Sequence, residues 1–301
     1  MDTLNNDMSR WVARLSGQPL PVLRSTVAAI NAFARDPESV SAHQVSEMVL
    51  RDPLLTLKLL RYLQQHRRAS QDTDVTTIAH ALMMMGVDRF FRDFCGQTAL
   101  EDLLSPHPLA LNGALQVVSR ARHAALCARD WARIRHDIEM DEVMVAALLH
   151  DLAELLIWCF EPEIMLKIKY LQESGVAVRS VEAQRAVLGF ALLDLQLALA
   201  DAWQLPRLLH DLMDDHHAGK PRVRNVVLAV QVARHCAHGW NDPALADDYS
   251  EIAHVLDISK HDVHKSVVRS ALTAGREWRL FGVLPAAAML PLIYGGGDRL
   301  K

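Results

Sequence analysis

The sequence predicts an all-α protein that consists of two packed helical bundles. Ala, Leu and Val are abundant, whereas the 301 residues include only 13 glycines and 12 prolines, a balance that favours helix over sheet. Apolar residues recur at helical spacing along most of the chain. No stretch shows the sustained polar–apolar alternation, bounded by turn residues, that is typical of a surface strand. The length is that of one large domain or two small ones.

The first part of the chain is predicted to form an extension followed by a smaller helical bundle. Residues 1–18 form the N-terminal extension, with one short amphipathic helix around Trp11, after which Pro19 and Pro21 favour an extended segment. Residues 19–110 are expected to form the N-terminal bundle. Its predicted helices cover residues 22–34, 41–50, 53–63, 77–85 and 88–104.

Local signals predict the ends of three of these helices. Ser41 and Gln44 have the spacing of a capping box, in which each side chain accepts from the other residue's backbone N–H. Asp52 suits an N-cap, and Pro53 suits the first helical position that follows it. Gly86 comes directly after a helical pattern and is expected to end that helix.

Residues 105–113, SPHPLALNG, are the strongest linker candidate because they contain two prolines and a glycine. We expect a larger C-terminal bundle at 111–276 and an apolar tail at 277–301. The predicted helices of the larger bundle cover residues 114–134, 141–159, 161–173, 178–187, 191–203, 206–215, 221–239, 243–254 and 259–275.

Charge and cysteine content argue against several classes of protein. The net charge is −4 and the chain has no basic block, so general nucleic-acid binding is not expected. The N-terminus lacks the basic and apolar regions of a secretory signal. The four cysteines form no CxxC pair and are interpreted as buried thiols in a reducing compartment. These observations favour a cytoplasmic protein.

The longest uncharged stretch, residues 280–297, is interrupted by Pro285, Pro291 and three glycines. It is too short for a spanning helix, so no membrane span is expected. We expect this tail to pack on its own domain or on a partner, including a second copy in a homo-oligomer. Contact with a membrane is the weaker alternative.

The dipeptide His150-Asp151 lies within the apolar run AALLHDLAELLIW (146–158) and is the first candidate for chemistry. His-Asp occurs four times in the chain, but only this copy lies in a strongly apolar helical run. Burying two ionisable groups is costly unless they are paired, hydrogen-bonded or bound to metal. Glu154 follows His150 by four residues, so an ion pair on one helix face is the alternative to a metal centre.

A second candidate is the polar stretch DLMDDHHAGK (211–220). The candidate ligands for a divalent transition metal in this stretch are Asp211, Asp214, Asp215, His216 and His217. The alternative is an exposed polar helix end. His123 is a third candidate, although a lone histidine in a helix is more often a packing or surface residue.

Other catalytic classes lack support in the sequence. The three glycines at 295–297 follow no predicted strand and precede no helix, so they do not form a phosphate-binding loop. The chain has no GxSxG motif. No cysteine has a histidine partner at a spacing that would indicate a catalytic pair.

Taken together, several motifs resemble the HDOD domain, the HD-related output domain of bacterial signalling proteins. The resemblance runs from about Pro19 to about Ala274, and the order and spacing of its motifs are more specific than any one of them. It implies an HDOD-like all-α fold whose C-terminal bundle is related to the HD superfamily. The matching segments are PLP (19–21), LRDPLLTLKLLRYL (50–63), TTIAHALMMMGVDRF (76–90), AALLHDLAELL (146–156), VLGFALLDLQLALADAWQLP (187–206) and the following His-His pair, His216-His217.

The resemblance also implies a comparison with HD-type phosphohydrolases, including HD-GYP phosphodiesterases. Those enzymes hydrolyse phosphate esters with metals held by scattered His and Asp residues. Three of their ligand positions match Arg120, Leu192 and Val230 or Gln231 here, and the Gly-Tyr-Pro signature is absent. The permanent charge of Arg120 opposes a divalent cation and suits Asp151 or a bound anion.

The incomplete ligand set favours a non-catalytic regulatory protein of bacterial signal transduction with no cofactor. Such a protein would bind other signalling proteins, or a small ligand for which a nucleotide or another anion is a candidate. Its binding groove is expected between the two bundles, around Arg120, His123, His150, Asp151, His216 and His217.

The alternative is a metal-dependent phosphohydrolase that acts on a nucleotide or cyclic dinucleotide. In that case His150, Asp151, His216 and His217 would hold a divalent metal, and His123 would stand in as a further ligand.

Overall fold

The computed structural model describes residues 2–66, 74–136, 138–175 and 179–291. These residues form α-helices and three short 3₁₀ segments, and their only β-type pairing is a single parallel bridge between Val22 and Ala99. The predicted all-α fold class is therefore confirmed.

The first part of the chain forms seven helices and one 3₁₀ segment within the described residues. They are α1 (Asp2–Ser16), α2 (Arg24–Phe33), the 3₁₀ segment Pro37–Ser39, α3 (Ala42–Val49), α4 (Pro53–Gln65), α5 (Ile78–Met85), α6 (Val87–Phe94) and α7 (Leu100–Leu103).

The capping signals act as the sequence predicts. The Gln44 N–H donates to Ser41 Oγ at 3.3 Å, and the Ser41 N–H donates to Gln44 Oε1 at 2.9 Å. Asp52 Oδ1 accepts from two backbone N–H groups at the start of α4, at 2.9 and 3.1 Å. Gly86 ends α5 with a φ of +84°, a conformation that glycine adopts without a Cβ penalty.

The single helix predicted at 88–104 is wrong, because the chain leaves helical geometry between α6 and α7. Gly96 has a φ of +71°. Beyond it, the Val22 N–H donates to Thr98 O at 3.0 Å and the Leu100 N–H donates to Val22 O at 2.7 Å. These backbone bonds tie the segment to the start of the bundle and compete with a continuous helix.

Eleven helices follow in the described part of the remaining chain, with two 3₁₀ segments. They are α8 (Pro108–Arg135), α9 (Met140–Leu149), α10 (Leu152–Phe160), α11 (Pro162–Glu173), α12 (Ser180–Leu188), α13 (Leu192–Ala202), α14 (Arg207–Leu212), the 3₁₀ segment Asp215–His217, α15 (Pro221–His238), α16 (Leu245–Leu256), α17 (Lys260–Gly275), α18 (Trp278–Phe281) and the 3₁₀ segment Ala286–Met289.

The linker predicted at 105–113 is wrong for most of its length. Helix α8 begins at Pro108, which takes the first helical position, and runs through the predicted boundary between 110 and 111. Gly113 serves packing here, because a Cβ at this position would lie 2.6 Å from Cε2 of the Trp158 ring. The glycine thus permits a close approach of α8 and α10.

Helix α8 is the central element of the core. It packs against α9, α10, α15 and α17, and its buried residues include Trp131. Helix α1, longer than the predicted helix around Trp11, packs on α13, and its Leu15 is fully buried. Three cysteines, Cys127, Cys159 and Cys236, are buried as predicted.

The fourth cysteine, Cys95, is exposed, contrary to the prediction of buried thiols. It lies at the C-terminal end of α6, directly before the Gly96 turn.

The segment predicted as an apolar tail packs on its own chain up to the 3₁₀ segment Ala286–Met289, which contacts α15 and α17. Phe281 and Val283 are buried, and Trp240 Nε1 donates to Ala286 O at 2.8 Å. Glu277 accepts from Arg122 at 2.8 and 3.0 Å, which ties the segment to α8. Residues 292–301, with the three glycines, lie outside the described residues.

One helical run in the described residues, Met140–Phe160, is long and apolar enough to cross a membrane. In its most apolar window, 83% is buried inside the protein. The pair Ser180–Leu188 and Leu192–Ala202 passes the same test only as a span bent by 66°. Such burial is typical of core helices and agrees with the predicted lack of a membrane span.

Candidate functional site

The His150-Asp151 pair lies at a break in what the sequence predicts as one helix at 141–159. Helix α9 ends at Leu149, α10 begins at Leu152, and Asp151 has ψ +24°. The buried Gln196 of α13 fills the break, because its Oε1 accepts from the Ala153 N–H at 2.7 Å and its Nε2 donates to Leu149 O at 2.9 Å. In an unbroken helix these two backbone groups would bond to each other. The single-helix prediction is therefore wrong at this point.

Both carboxylate oxygens of Asp151 are held by arginines. Arg120 of α8 donates from Nε to Oδ2 at 2.8 Å, and Arg234 of α15 donates from Nη2 to Oδ1 at 2.8 Å. The Asp151 side chain is only 8% exposed. Burial opposes ionisation, but Arg234, Arg120 and His150 outweigh it and hold the pKa of Asp151 well below its usual value. The predicted pairing of Arg120 with Asp151 is confirmed.

Arg120 also binds the next acidic residue along the chain. Its Nη2 donates to Glu154 Oε2 at 2.5 Å, so Glu154 is not the partner of His150 that the i,i+4 spacing suggests. Burial would lower the pKa of Arg120, but the charges of Glu154 and Asp151 outweigh it and raise that pKa. The guanidinium therefore stays protonated between its two carboxylates.

His150 lies between two aspartates. Its Nε2 donates to Asp215 Oδ1 at 2.8 Å, and its Nδ1 lies 3.4 Å from Asp151 Oδ1. Burial would lower the pKa of His150, but the hydrogen bonds and charges of these carboxylates raise it to about 9. Asp215 comes from the predicted polar cluster, whereas His216 and His217 do not contact His150.

The predicted His-His pair lies at the surface. His216 and His217 are exposed, and His217 Nδ1 pairs with Asp214 Oδ2 at 2.7 Å. The predicted set of metal ligands, in which both histidines join His150 and Asp151, is therefore not assembled. Within the described residues, no group of three or more His, Cys, Asp or Glu side chains has the geometry to hold a metal ion.

The donor set around Asp151 does not fit a divalent cation. Both Asp151 oxygens already accept from guanidinium groups, and the raised pKa of His150 favours the protonated ring, which offers no lone pair to a metal. Two permanent positive charges within hydrogen-bond distance would also repel the ion. The acidic and basic side chains at this site instead pair with one another, and this set of ion pairs is called the ionic network.

His123 lies one helical turn from Arg120 on α8 and is buried. Its Nε2 is 3.3 Å from Val267 O, and its Nδ1 has no hydrogen-bond partner. Burial lowers the pKa of His123 to about 4, so the ring is neutral. Because Nε2 faces a carbonyl and carries the proton, Nδ1 is an unsatisfied acceptor.

A large groove, here called the central groove, lies beside the ionic network. Its volume is about 1080 Å³. Helices α8, α10, α11, α12, α15 and α17 and the segment around Ala286 contribute to its wall, which includes Arg120, His123, Glu154, Trp158, Arg185 and Arg234.

The central groove differs from the predicted one in position and in composition. No described residue before Gly113 lines it, so it does not lie between an N-terminal and a C-terminal bundle. Of the six predicted groove residues, it includes Arg120 and His123. Asp151 lies next to it through its hydrogen bonds with Arg120 and Arg234, and His150 follows through Asp151. His216 and His217 are not part of it.

Sequence reasoning missed two side chains that shape this site, namely Gln196 and Arg234, and it named Asp215 without its contact to His150. The signal that singled out His150 was a polar residue within an apolar helical run. Gln196 in LLDLQLALA and Arg234 in VVLAVQVARHCA carry the same signal, and Arg234 lies one turn beyond the Val230 position.

One family model matches most of the chain. The family model described as the HDOD domain matches residues 20–219. No curated protein gives a significant match to the chain.

Two solved structures share the fold at low sequence identity. The MmoQ response regulator from Methylococcus capsulatus str. Bath is 18% identical with a TM-score of 0.63, over 84% of this chain and 99% of that chain. A virulence factor from Campylobacter jejuni subsp. jejuni is 14% identical with a TM-score of 0.64, over 89% of this chain and 96% of that chain.

Proposed function

The chain belongs to the HDOD domain family, and from this premise we propose that it is a non-catalytic regulatory protein of bacterial signal transduction. It acts in the cytoplasm by binding a signalling protein or a small ligand, and the central groove is its binding site. Its His-Asp pair organises the groove wall and performs no hydrolysis.

The observation that carries this proposal is the double engagement of Asp151. In the HD-type phosphohydrolases that the chain resembles, the His-Asp pair contributes to a metal centre. Here Arg120 and Arg234 each donate to one Asp151 oxygen at 2.8 Å. An enzyme of that class needs several free ligands and an open position for water, and two guanidinium groups on the His-Asp carboxylate favour an ion-pair role over that one.

The printed names of similar proteins support the regulatory role. The structure from Methylococcus capsulatus is named a response regulator, and its alignment with the present chain covers 99% of that protein's chain. The groove of about 1080 Å³ offers a place where a ligand alters the packing of six helices.

Hydrolysis assays test the non-catalytic part. Purified protein, treated with chelator and then supplied with Mn²⁺, Fe²⁺ or Zn²⁺, is incubated with bis(p-nitrophenyl) phosphate and with cyclic dinucleotides. We expect no turnover above that of the His150→Gln variant. Metal-dependent turnover that this variant loses would overturn the proposal.

Gene replacement in the native host tests the regulatory part. Deletion is expected to change the transcript profile, and the wild-type gene is expected to restore it. Arg234→Gln should fail to restore it, whereas Arg224→Gln, on the same helix but outside the groove, should succeed. A deletion that leaves the profile unchanged would contradict a regulatory role.

A further inference from the structure

The charges that line the central groove are predominantly positive. Among the described residues, five Lys or Arg side chains and three Glu side chains contribute to its wall. The cationic ones are Arg120, Lys169, Arg179, Arg185 and Arg234.

Some of these cations are satisfied within the protein, and others keep donors for a ligand. Arg120 is held by Asp151 and Glu154, and Lys169 lies 3.7 Å from Glu173. Arg234 donates only Nη2 to Asp151, so its Nε and Nη1 have no hydrogen bond to another described residue.

Arg185, like Arg179, is a groove cation whose side chain has no partner among the described residues. It is exposed on α12 and makes neither an ion pair nor a side-chain hydrogen bond with another described residue. The groove therefore presents guanidinium donors from two helices, α12 and α15, that have no acceptor within the described part of the chain.

A buried polar group in the same wall also lacks a partner. His123 lines the groove and is 2% exposed, and its Nδ1 has no hydrogen-bond partner. An unpaired buried acceptor is costly, and a ligand that brings an N–H or O–H donor would satisfy it.

We propose that the central groove binds a phosphorylated small molecule of nucleotide size, whose phosphate pairs with Arg185 and Arg234 and whose polar body supplies a donor to His123. Guanidinium groups match phosphate oxygens in charge and geometry. The groove volume of about 1080 Å³ admits a ligand of that size. This inference rests on the proposed function, since it names the ligand class of the same site.

Calorimetric titration of the full chain with four probes tests the proposal. AMP supplies both phosphate and donors, inorganic phosphate supplies only the anion, adenosine supplies only the donors, and citrate is an anion without phosphate. We expect saturable binding of AMP, weaker binding of inorganic phosphate and no measurable binding of adenosine or citrate. Adenosine binding as tightly as AMP, citrate binding more tightly than AMP, or no binding by any probe would overturn the proposal.

Two variants locate the binding. Arg185→Gln and Arg234→Gln are each expected to weaken AMP binding by about tenfold or more, since each removes a charge-assisted contact. Arg185 has no partner among the described residues, so we expect its substitution to leave the fold intact even if Arg234→Gln weakens it. Arg224→Gln is the matched control, because the Arg224 and Arg234 side chains lie on one helix, are both 37% exposed and each pair with a carboxylate. AMP affinity unchanged in Arg185→Gln would also overturn the proposal.

His123→Phe tests the contact of His123 with the polar body of the ligand separately from the contacts of the phosphate. We expect this variant to weaken AMP binding and to leave binding of inorganic phosphate unchanged. If AMP binds the wild type and the variant with equal affinity, His123 does not contact the ligand. Failure of AMP binding with no metal-dependent turnover overturns the ligand class alone, whereas metal-dependent turnover overturns the proposed function.

Discussion

Arg120 and Asp151 form a buried ion pair between α8 and the break that separates α9 from α10, with Nε and Oδ2 2.8 Å apart. The side chains are 16% and 8% exposed. Arg234 binds the second oxygen of the same carboxylate. This arrangement explains how an apolar core accommodates the His-Asp pair without a metal, since a buried charge requires a partner.

Replacing Arg120 by Met is expected to lower the free energy of unfolding by about 2–4 kcal/mol, because Asp151 and Glu154 lose their shared cation. Urea unfolding followed by circular dichroism measures the change. Arg24→Met is the control, since the Arg24 and Asp102 side chains are 62% and 68% exposed and such a pair contributes less than about 1 kcal/mol. Equal losses in the two variants would show that the Arg120 contacts add no stability beyond a surface pair.

Gln196→Leu is expected to destabilise the protein by about 2–4 kcal/mol, because the Ala153 N–H and Leu149 O both lose their partner in the core. Gln184→Leu is the matched control, since that side chain accepts one backbone hydrogen bond, from Leu192 at 3.0 Å. Urea unfolding of both variants tests the difference. If Gln196→Leu costs no more than Gln184→Leu, the helix break does not depend on the inserted amide.

Stability is expected to fall with rising pH on account of His150. The folded-state pKa of about 9 lies above the ordinary value of 6.5, so its contribution is complete below pH 6.5 and is lost as pH rises through 9. The loss amounts to as much as about 3 kcal/mol. Urea unfolding between pH 6 and pH 10 should show this fall in wild type and a smaller one in His150→Gln. The exposed His43 provides the control His43→Gln, which should keep the wild-type slope. Identical pH profiles for wild type and His150→Gln would contradict the assignment.

Gly113→Ala is expected to destabilise the protein by about 1–3 kcal/mol, because the new Cβ would overlap the buried Trp158 ring. The direction of the change in stability is informative, because helix propensity alone would make the alanine variant more stable. Gly17→Ala is the control, because its nearest heavy atom, Ala13 O, would lie at an ordinary 3.5 Å. Thermal unfolding measures both. A stabilised Gly113→Ala variant would show that α8 and α10 can separate at no cost.

The fold was largely predictable because local signals and tertiary structure agree. The Ser41–Gln44 capping box and the Asp52-Pro53 helix start form as the sequence indicates. The prediction failed where distant segments decide the backbone. Thr98 and Leu100 bond to Val22 and interrupt the helix predicted at 88–104.

The site was predictable only in part. The charge of Arg120 indicated its pairing with Asp151, and the structure confirms it. The Gln196 insertion was not predictable, since it joins residues more than forty positions apart in sequence. The prolines of the 105–113 segment suggested a linker, although Pro108 instead begins the longest helix of the described chain.

The most direct test of the central claim, that arginines rather than a metal satisfy Asp151, is a metal titration. Chelator-treated protein is titrated with Mn²⁺, Fe²⁺ and Zn²⁺ by calorimetry, in wild-type form and as Asp151→Asn and His150→Gln. We predict that the wild-type protein binds no metal stoichiometrically at a site that depends on Asp151 or His150. One equivalent of tightly bound metal in the wild type, lost in both variants, would contradict the claim.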